Sequence, residues 1–368
     1  MSTGHVRKLM AMLFAFGLIA AACGSTTDEA VDEATDAADE VVDEATDAAD
    51  EVVDEATDPD ADDTAGAADR GNVAYFSYAN FNGFSQGIWT GVQAGAAEAG
   101  IEAEIFDGAF DFSGETQAQQ IQNATLSGGF DTFVISSNNG AAITPAVEEA
   151  IAAGISVVAV FSPIGPDQLT LDPQVDGLIF VGQSVIGSVE GQAGLVIEAC
   201  GDTDPCIVSY LAGDPTLDID QTRIETFEGL FAAEPTITLI DPVAGGYGVE
   251  SGQAAADAVL LANETVHVMF GSSQAILGAE QAATTAGVEG INYIGLGSPT
   301  QAVEAVKEGR WYGLQLDRTA DWGQLAVEVA GEEQAGNAIE YSIDVDSLVD
   351  LVNVNQETIG DFEGQWTN

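Results

Sequence analysis

The sequence predicts an α/β protein with two Rossmann-like lobes, because short apolar β-type runs alternate with longer segments of helical spacing from residue 73 onward. The β-type runs are almost continuously apolar, which is typical of parallel sheets covered on both faces. A single sheet that took every predicted strand would be very wide, so we expect two sheets in two lobes. Ligands of such sheets bind beyond the carboxyl ends of the strands, so we expect a ligand in the cleft between the lobes.

Each element is predicted from a local pattern. Strands are short apolar runs of β-type composition, and helices are the segments between them in which apolar residues recur every three or four positions. The predicted strands are residues 73–78, 103–106, 132–136, 157–161, 207–211, 238–240, 266–270 and 293–295. The predicted helices are residues 86–99, 115–126, 146–153, 187–198, 221–231, 252–261, 274–285, 300–308 and 322–330.

Residues 1–22 have the layout of a lipoprotein signal peptide. A basic start at Arg7 and Lys8 and an apolar run over residues 9–22 lead to Cys23, whose thiol can take a diacylglycerol. The apolar run is shorter than the roughly 20 residues that span a bilayer. We therefore predict an extracytoplasmic chain, lipid-anchored through Cys23 to the outer face of the cytoplasmic membrane. An ordinary cleaved signal or a membrane anchor is the alternative.

Residues 23–71 form an acidic linker with an eleven-residue repeat that starts at Asp28 and reads DEAVDEATDAA, DEVVDEATDAA and DEVVDEATDPD. An eleven-residue period keeps Ala and Val near one face of a helix. That face is mostly alanine and the other positions are nearly all acidic, so burial is small and charge repulsion is large. We expect an extended, solvated spacer that ends after Pro59, with transient helix or coiled-coil pairing as the alternative.

The charge of the chain excludes one class of partner. The sequence has 61 Asp and Glu against 7 Lys and Arg, a formal net charge of −54. Residues 71–368 hold 42 of these acidic residues and four of the basic ones, a charge of 4 − 42 = −38. Nucleic acid binds through clustered cations that such a surface lacks, so we expect no nucleic-acid partner. Self-repulsion at this charge predicts a stability that rises with salt.

The cysteines and the histidine predict a disulfide and no catalytic or metal site. Cys200 and Cys206 are separated by five residues, a spacing that can close a small disulfide loop in an oxidising compartment. His267 lies in an apolar run, so we expect it to be a core-strand residue rather than a metal ligand. No other histidine follows the signal peptide and no paired carboxylates stand out, so we expect no enzyme activity, no metal and no cofactor.

Several short strings in this chain resemble those of the type I periplasmic sugar-binding proteins of ABC importers. The strings are GVQAGA at 91–96, QAQQIQ at 117–122, AIAAGISVV at 150–158 and LGA at 277–279, and their order and spacing extend the resemblance over roughly residues 72–355. It implies a type I periplasmic binding protein fold whose lobes are joined by a three-crossing hinge. Lobe 1 is then residues 72–182 plus 318–347, and lobe 2 is residues 183–317 plus 348–368.

Sugar sites in this family combine aromatic faces with side chains that hydrogen-bond hydroxyl groups. In the loop after the first strand, Asn82, Phe84 and Trp89 are therefore candidates, and Trp89 stands where the family often has a stacking aromatic residue. The alternative for Trp89 is a core position in the first helix. Ser136 and Phe161 end the third and fourth strands and complete the candidates in lobe 1.

The candidates in lobe 2 are an arginine and an aromatic residue. Arg223 matches the ligand-binding arginine of the family, and a surface ion pair with Glu225 or Asp220 is the alternative role. Tyr247 aligns with an aromatic residue that faces the cleft and stacks on the ligand. The resemblance thus implies a site with contributions from both lobes.

The chain departs from the family at several polar positions. Sugar binders often place an Asp-Arg pair after the fourth strand, where this chain has Phe161 and Ser162, and Ser272 falls where the family commonly has Asn-Asp. Gln315 and Asp317, at the last lobe crossing, can exchange hydrogen bonds with a hydroxyl group. We therefore expect a less polar ligand or a different hydrogen-bond pattern from that of ribose or a hexose.

The combined prediction is a solute-binding lipoprotein that captures a sugar or polyol in the interlobe cleft and delivers it to an ABC permease. Hinge closure around the ligand would create the surface that the permease recognises. A ligand-sensing lipoprotein that signals to a membrane receptor is the alternative. We expect a monomer with a small-molecule ligand and a membrane contact through the lipid anchor.

Overall fold

The computed structural model describes residues 71–111 and 113–367. The predicted signal peptide, Cys23 and the acidic repeats lie outside the described residues. The strands are β1 (Asn72–Ser77), β2 (Ala103–Asp107), β3 (Phe130–Ile135), β4 (Ser156–Val160), β5 (Leu178–Gly182), β6 (Cys206–Ala212), β7 (Ile237–Ala244), β8 (Val268–Ser272), β9 (Asn292–Leu296), β10 (Gly313–Gln315), β11 (Ser342–Asp344) and β12 (Asn353–Asn355). The α-helices are α1 (Gly83–Ala99), α2 (Glu115–Ser127), α3 (Gly140–Ala152), α4 (Val185–Cys200), α5 (Asp218–Ala232), α6 (Val249–Ala262), α7 (Ser273–Ala286), α8 (Thr300–Lys307) and α9 (Thr319–Gln334).

The strands form two six-stranded sheets, which define lobe 1 and lobe 2. The sheet of lobe 1 has the order β2-β1-β3-β4-β5-β11, and its neighbouring strands are all parallel. The sheet of lobe 2 has the order β7-β6-β8-β9-β10-β12, in which only the β10–β12 pair is antiparallel. The prediction of α/β architecture with two parallel sheets is therefore confirmed.

Helices cover both faces of each sheet. In lobe 1, α1 and α9 pack on one face and α2 and α3 on the other. In lobe 2, α6, α7 and α8 cover one face, and α4 and α5 cover the other. Aromatic rings fill the space between sheet and helices, as Phe76 and Phe133 do in lobe 1 and Phe227 and Phe270 do in lobe 2. Burial on both faces explains why the strands read as continuous apolar runs.

Helices α1 and α9, which cover the same face of the lobe 1 sheet, approach each other unusually closely. A Cβ atom added at Gly91 of α1 would lie 1.8 Å from the carbonyl oxygen of Ala320 in α9, and one added at Gly323 of α9 would lie 2.1 Å from the carbonyl oxygen of Ile88. Only glycine permits this distance, because any side chain would clash with the facing backbone. The glycines therefore fix how α9 packs on α1.

Three connections carry the chain from one sheet to the other. They run from β5 to α4, from β10 to α9 and from β11 to β12. Each lobe is consequently built from segments that are far apart in sequence. The connections from β5 and β10 bring Gln183 and Asp317 together, and both side chains are buried.

The structure contains elements that the sequence patterns did not predict. Strands β5, β10, β11 and β12 are additional, and the last three have only three residues each. Helix α3 begins at Gly140 rather than at residue 146, because the side chain of Asn139 caps it and Pro145 is accommodated inside it. Strand β7 continues through Pro242 to Ala244, which an edge position allows because the proline lacks only one ladder hydrogen bond there.

The predicted disulfide is present. Cys200 at the end of α4 is bonded to Cys206 at the start of β6, with a Cα–Cα distance of 5.7 Å. His267 accepts a hydrogen bond through Nδ1 from the backbone N–H of Ile207 at 2.8 Å, which gives it a structural role at the edge of β8. Within residues 71–111 and 113–367, no helix is both long and apolar enough to cross a membrane.

Candidate functional site

A cavity of about 420 Å³ lies between the two lobes. Its lining comes from residues at or just beyond the carboxyl ends of strands in both sheets, such as Asn82, Ser137 and Phe161 in lobe 1 and Tyr247 and Ser272 in lobe 2. This is the position at which open parallel sheets bind their ligands. A cavity of this volume is in the range of small-molecule sites.

The wall of the cavity in lobe 1 is aromatic. The ring centroids of Phe84 and Phe161 are 4.8 Å apart, and Trp322 stacks behind Phe161 at 6.4 Å with an interplanar angle of 7°. Phe161 has a φ of 70°, a left-handed backbone that turns the chain directly after β4. Asn82 begins α1, and its side-chain oxygen accepts a hydrogen bond from the backbone N–H of Phe84 at 2.8 Å. The cap and the ring packing hold these side chains in one arrangement.

The wall in lobe 2 contains a polar triad of Arg223, Asp220 and Tyr247, in which Arg223 and Asp220 are buried and Tyr247 is 36% exposed. The guanidinium of Arg223 donates to the Asp220 carboxylate at 3.1 Å and to the Tyr247 hydroxyl at 2.9 Å. The same hydroxyl donates to Asp220 at 2.6 Å. Burial opposes the charge of Arg223, but Tyr247 and Asp220 outweigh burial and raise the pKa of Arg223 above its ordinary value. Arg223 is therefore a permanent cation that is hydrogen-bonded to Asp220 and Tyr247.

A second polar cluster connects the two crossings at the base of the cleft. Gln183 donates through Nε2 to Oδ1 of Asp317 at 2.6 Å, and Gln315 donates to Oε1 of Gln183 at 3.3 Å. All three side chains are buried. Burial raises the pKa of Asp317 to about 7, while the hydrogen bond from Gln183 lowers it in part. The carboxyl group of Asp317 therefore takes up a proton at a much higher pH than an exposed carboxyl group does.

The cleft differs in charge from the surface around it. Among the residues that line it, the charged ones are Arg223 and Asp317, although the body as a whole has a charge of −38. Arg223 is paired with Asp220, and burial favours the neutral form of Asp317. Aromatic faces beside planar amide and guanidinium groups suit an uncharged ligand with both C–H faces and hydroxyl groups.

The structure brings together most of the side chains that the sequence singled out. Seven of the predicted residues line the cavity: Asn82, Phe84, Phe161, Arg223, Tyr247, Ser272 and Asp317. Arg223 also forms the ion pair with Asp220 that was its alternative role. It therefore lines the cavity and is part of an ion pair at the same time. Ser272 caps α7, because its hydroxyl accepts a hydrogen bond from the backbone N–H of Ala275 at 3.3 Å. Ser272 also lines the cavity.

Three predicted residues lie outside the cavity lining. Trp89 is half-buried and stacks on Tyr75 in lobe 1, with ring centroids 6.1 Å apart. Ser136 is fully buried, and its hydroxyl lies 3.3 Å from that of Tyr75. Gln315 contacts the cavity only through Gln183. For Trp89 the structure places the side chain in the core position that was the alternative.

The structure also adds lining residues that the sequence patterns missed. Gln183 follows β5, a strand that was not predicted although residues 178–181 are an apolar run between two glycines. Trp366 reaches the cavity from a segment almost 50 residues beyond the last predicted site residue, Asp317. Its local sequence contains no signal for a ligand contact.

The periplasmic binding protein domain family has a sequence model that matches residues 73–338. The chain belongs to this family. The matched range contains almost all of β1, all of β2 to β10 and of α1 to α9, and most of the residues that line the cleft. No curated protein matches the sequence.

Solved structures with the same fold include several ABC transporter proteins. A periplasmic solute-binding protein from Actinobacillus succinogenes with bound D-allose has a TM-score of 0.69 at 20% identity, over 79% of this chain and 100% of the other. A solute-binding protein from Mycobacterium smegmatis with bound glycerol has a TM-score of 0.67 at 19% identity, over 81% and 99%. The arabinose-transporter protein from Shewanella has a TM-score of 0.66 at 18% identity, over 78% and 93%. The predicted type I periplasmic binding protein fold is confirmed.

Proposed function

We propose that this protein is an extracytoplasmic solute-binding lipoprotein that captures a sugar or polyol between its lobes and delivers it to an ABC permease. The observation that carries the proposal is the interlobe cavity, which joins an aromatic wall in lobe 1 to the Arg223 triad in lobe 2 at the carboxyl ends of both sheets. The protein acts by binding and not by catalysis, in keeping with its family.

The ligand class follows from the chemistry of the two walls. The rings of Phe84 and Phe161 offer apolar faces for the C–H groups of a sugar or polyol. Arg223 and Gln183 offer planar donors for hydroxyl oxygens. Structures of the same fold contain D-allose, glycerol and arabinofuranose, which supports this class of ligand for the present chain.

Capture requires that the lobes close on the ligand. Residues on both sides of the cleft contact a bound molecule only when the cleft is closed, so binding energy stabilises the closed form over the open one. The crossings at Gln183 and Asp317 are the positions at which the backbone bends. Closure then presents the rims of both lobes together, and the permease distinguishes this surface from the open one.

The expectations for anchoring and assembly complete the proposal. The chain is tethered through a lipid on Cys23, and its acidic linker holds the body away from the membrane. The binding unit is a monomer, because a single chain supplies both walls of the cleft. Metabolic labelling with palmitate and fractionation of wild-type and Cys23→Ser chains test the anchor, since the variant is expected to lose both the label and membrane association.

Isothermal titration against D-allose, D-ribose, L-arabinose and glycerol tests the ligand class. The informative variant is Arg223→Lys, which keeps the charge beside Asp220 but loses the planar donors. We expect Arg223→Lys to weaken binding by about tenfold or more, equivalent to about 1.4 kcal/mol. Arg310→Lys is the matched control, because Arg310 pairs with Glu280 and Glu308 away from the cavity.

The two parts of the proposal fail in different ways. If the wild-type chain binds none of the four compounds, the sugar or polyol class is wrong. If Arg223→Lys binds as tightly as wild type and Arg310→Lys, the ligand lies elsewhere than in this cleft.

A further inference from the structure

Residues 364–367 lie against both lobes at the base of the cleft. The backbone of this segment is held by lobe 2, in the loop between β9 and α8. The backbone N–H of Gln365 donates to the carbonyl oxygen of Ser298 at 2.9 Å, and the backbone N–H of Thr300 donates to the carbonyl oxygen of Trp366 at 2.8 Å. The Thr300 hydroxyl donates to the same oxygen at 3.0 Å. These three hydrogen bonds attach the main chain of the segment to lobe 2.

The side chains of the same segment contact lobe 1. Gln365 accepts through Oε1 from the backbone N–H groups of Ala320 at 2.9 Å and Asp321 at 3.3 Å, in the first turn of α9. The ring of Trp366 lies edge-on to that of Phe84, with centroids 5.7 Å apart and an interplanar angle of 70°. Trp366 is only 6% exposed, yet it lines the interlobe cavity.

A glycine from each lobe makes room for the indole. A Cβ atom added at Gly83, at the start of α1, would lie 2.7 Å from Cδ1 of Trp366. One added at Gly297, after β9, would lie 3.2 Å from Cη2, and the φ of +104° at Gly297 disfavours any other residue. The indole is thus seated between backbone of lobe 1 and backbone of lobe 2, beside Phe84 and near Asp317.

We propose that Trp366 is a ligand-contacting, specificity-determining residue of the cleft, supplied by the 364–367 segment. This inference rests on the proposed function, because it assigns a residue to the same sugar or polyol site. Trp366 extends the aromatic wall of Phe84 and Phe161 to the base of the cleft and gives the C–H face of a bound sugar an indole to pack on. It takes the place that the sequence assigned to Trp89.

The position of Trp366 links ligand contact to the relative position of the lobes. Its backbone is hydrogen-bonded to lobe 2, whereas its ring packs between Phe84 of lobe 1 and Gly297 of lobe 2. A hinge motion therefore changes the environment of the indole in addition to any direct ligand contact. Of the four tryptophans in the sequence, all of which are described, Trp366 is the one that lines the cavity.

Titration calorimetry and intrinsic fluorescence test the proposal with the tightest-binding compound among D-allose, D-ribose, L-arabinose and glycerol. The variants are Trp366→Ala and the more conservative Trp366→Phe. We expect Trp366→Ala to weaken binding by about tenfold or more, and Trp366→Phe to weaken it less, because a phenyl ring retains part of the stacking face. Trp366→Phe should also lose most of the fluorescence change that the compound causes in wild type.

Trp311→Phe is the control for both measurements, because Trp311 is buried in lobe 2 and bonds to Glu280. It should keep the affinity and the fluorescence change. The inference is overturned if wild type binds and Trp366→Phe retains both the affinity and the fluorescence change. If Trp366→Ala does not fold, Trp366→Phe decides alone. If wild type binds none of the four compounds, the proposed function fails and this inference fails with it.

Discussion

Phe161 shows how one residue alters the character of the site. The related sugar binders that the sequence resembles often have a charged pair after the fourth strand, whereas here an aromatic ring occupies this position. The ring packs between Phe84 and Trp322, and its left-handed backbone directs the chain away from β4 immediately. The site consequently relies on aromatic faces in lobe 1 and on one buried cation in lobe 2.

Asp317 gives the folded state a specific pH dependence. Its pKa is raised by burial from 3.8 to about 7, so the folded chain binds this proton more tightly than the unfolded chain does. The folded state therefore holds more protons between pH 3.8 and about 7, and the free energy of unfolding falls as the pH rises through that window. Since one pKa unit corresponds to about 1.4 kcal/mol, the contribution of Asp317 is at most about 4 kcal/mol.

We predict that Asp317→Asn removes this part of the pH dependence, because asparagine keeps the shape and the hydrogen bond from Gln183 but cannot ionise. Denaturant unfolding at a series of pH values measures it. From pH 4 to pH 7 the free energy of unfolding of wild type should fall relative to that of Asp317→Asn, because only wild type loses this contribution. Asp361→Asn, at an exposed position, should follow wild type. Parallel curves for wild type and Asp317→Asn would contradict the prediction.

At the level of elements, the contact between α1 and α9 fixes the geometry of lobe 1. Helix α9 follows the second crossing, so its packing on α1 also sets how lobe 1 is attached to the hinge. Gly91 and Gly323 allow the two backbones to touch, as the distances to Ala320 and Ile88 show. A larger residue at either position must push the helices apart.

We predict that Gly91→Ala destabilises the protein by about 1–3 kcal/mol or more, because the added methyl group overlaps the Ala320 carbonyl. Gly194→Ala in α4 is the matched control. A Cβ atom at Gly194 meets nothing within 4 Å, so the change should be neutral or stabilise the helix by about 0.5–1 kcal/mol. Thermal and denaturant unfolding measure both variants. A loss at Gly194 equal to that at Gly91 would refute the explanation by close packing.

The elements also show where prediction from local sequence succeeds. The long helices and the central strands have strong apolar patterns, and all of them are found. Strands β10, β11 and β12 have three residues each and exist because neighbouring strands supply their hydrogen-bond partners, which no local pattern reports. Strand β5 is different, since its apolar run Leu178–Gly182 was a readable signal.

Prediction of the candidate site has a similar limit. Phe161 ends a strand, so the rule that ligands bind at the carboxyl ends of strands was enough to select it, whereas Tyr247 and Ser272 were selected by the resemblance to periplasmic sugar-binding proteins. Trp89 was selected by the same resemblance, but its side chain packs on Tyr75, a choice that depends on the rotation of α1. Trp366 depends on a chain segment docking far from its neighbours in sequence, which only the tertiary structure reveals.

For the whole molecule, the dominant physical fact is the charge of −38 over residues 71–368. The few ion pairs among the described residues, such as Arg310 with Glu280 and Arg318 with Asp321, cannot offset it. The remaining carboxylates repel one another, and this repulsion is relieved when the chain expands. The folded state is therefore weakened at low ionic strength.

We predict that the midpoint of thermal unfolding rises by several degrees when NaCl is increased from about 0.1 M to about 1 M, because the screening length falls from about 10 Å to about 3 Å. Differential scanning calorimetry measures the midpoint. The rise should be smaller near pH 4, where about half of the carboxylates are protonated. A midpoint that is insensitive to salt at neutral pH would show that charge repulsion is not a significant cost.

The three crossings have a consequence for synthesis of the chain. Lobe 1 needs β11 and α9, which are made after all of lobe 2 up to β10, and the sheet face that α1 and α9 share is only partly covered until α9 is available. A ribosome must therefore translate past residue 344 before the first lobe can be completed. A nascent chain that cannot finish its first lobe early stays unfolded for longer, so the interleaved topology delays folding until most of the chain has been synthesised.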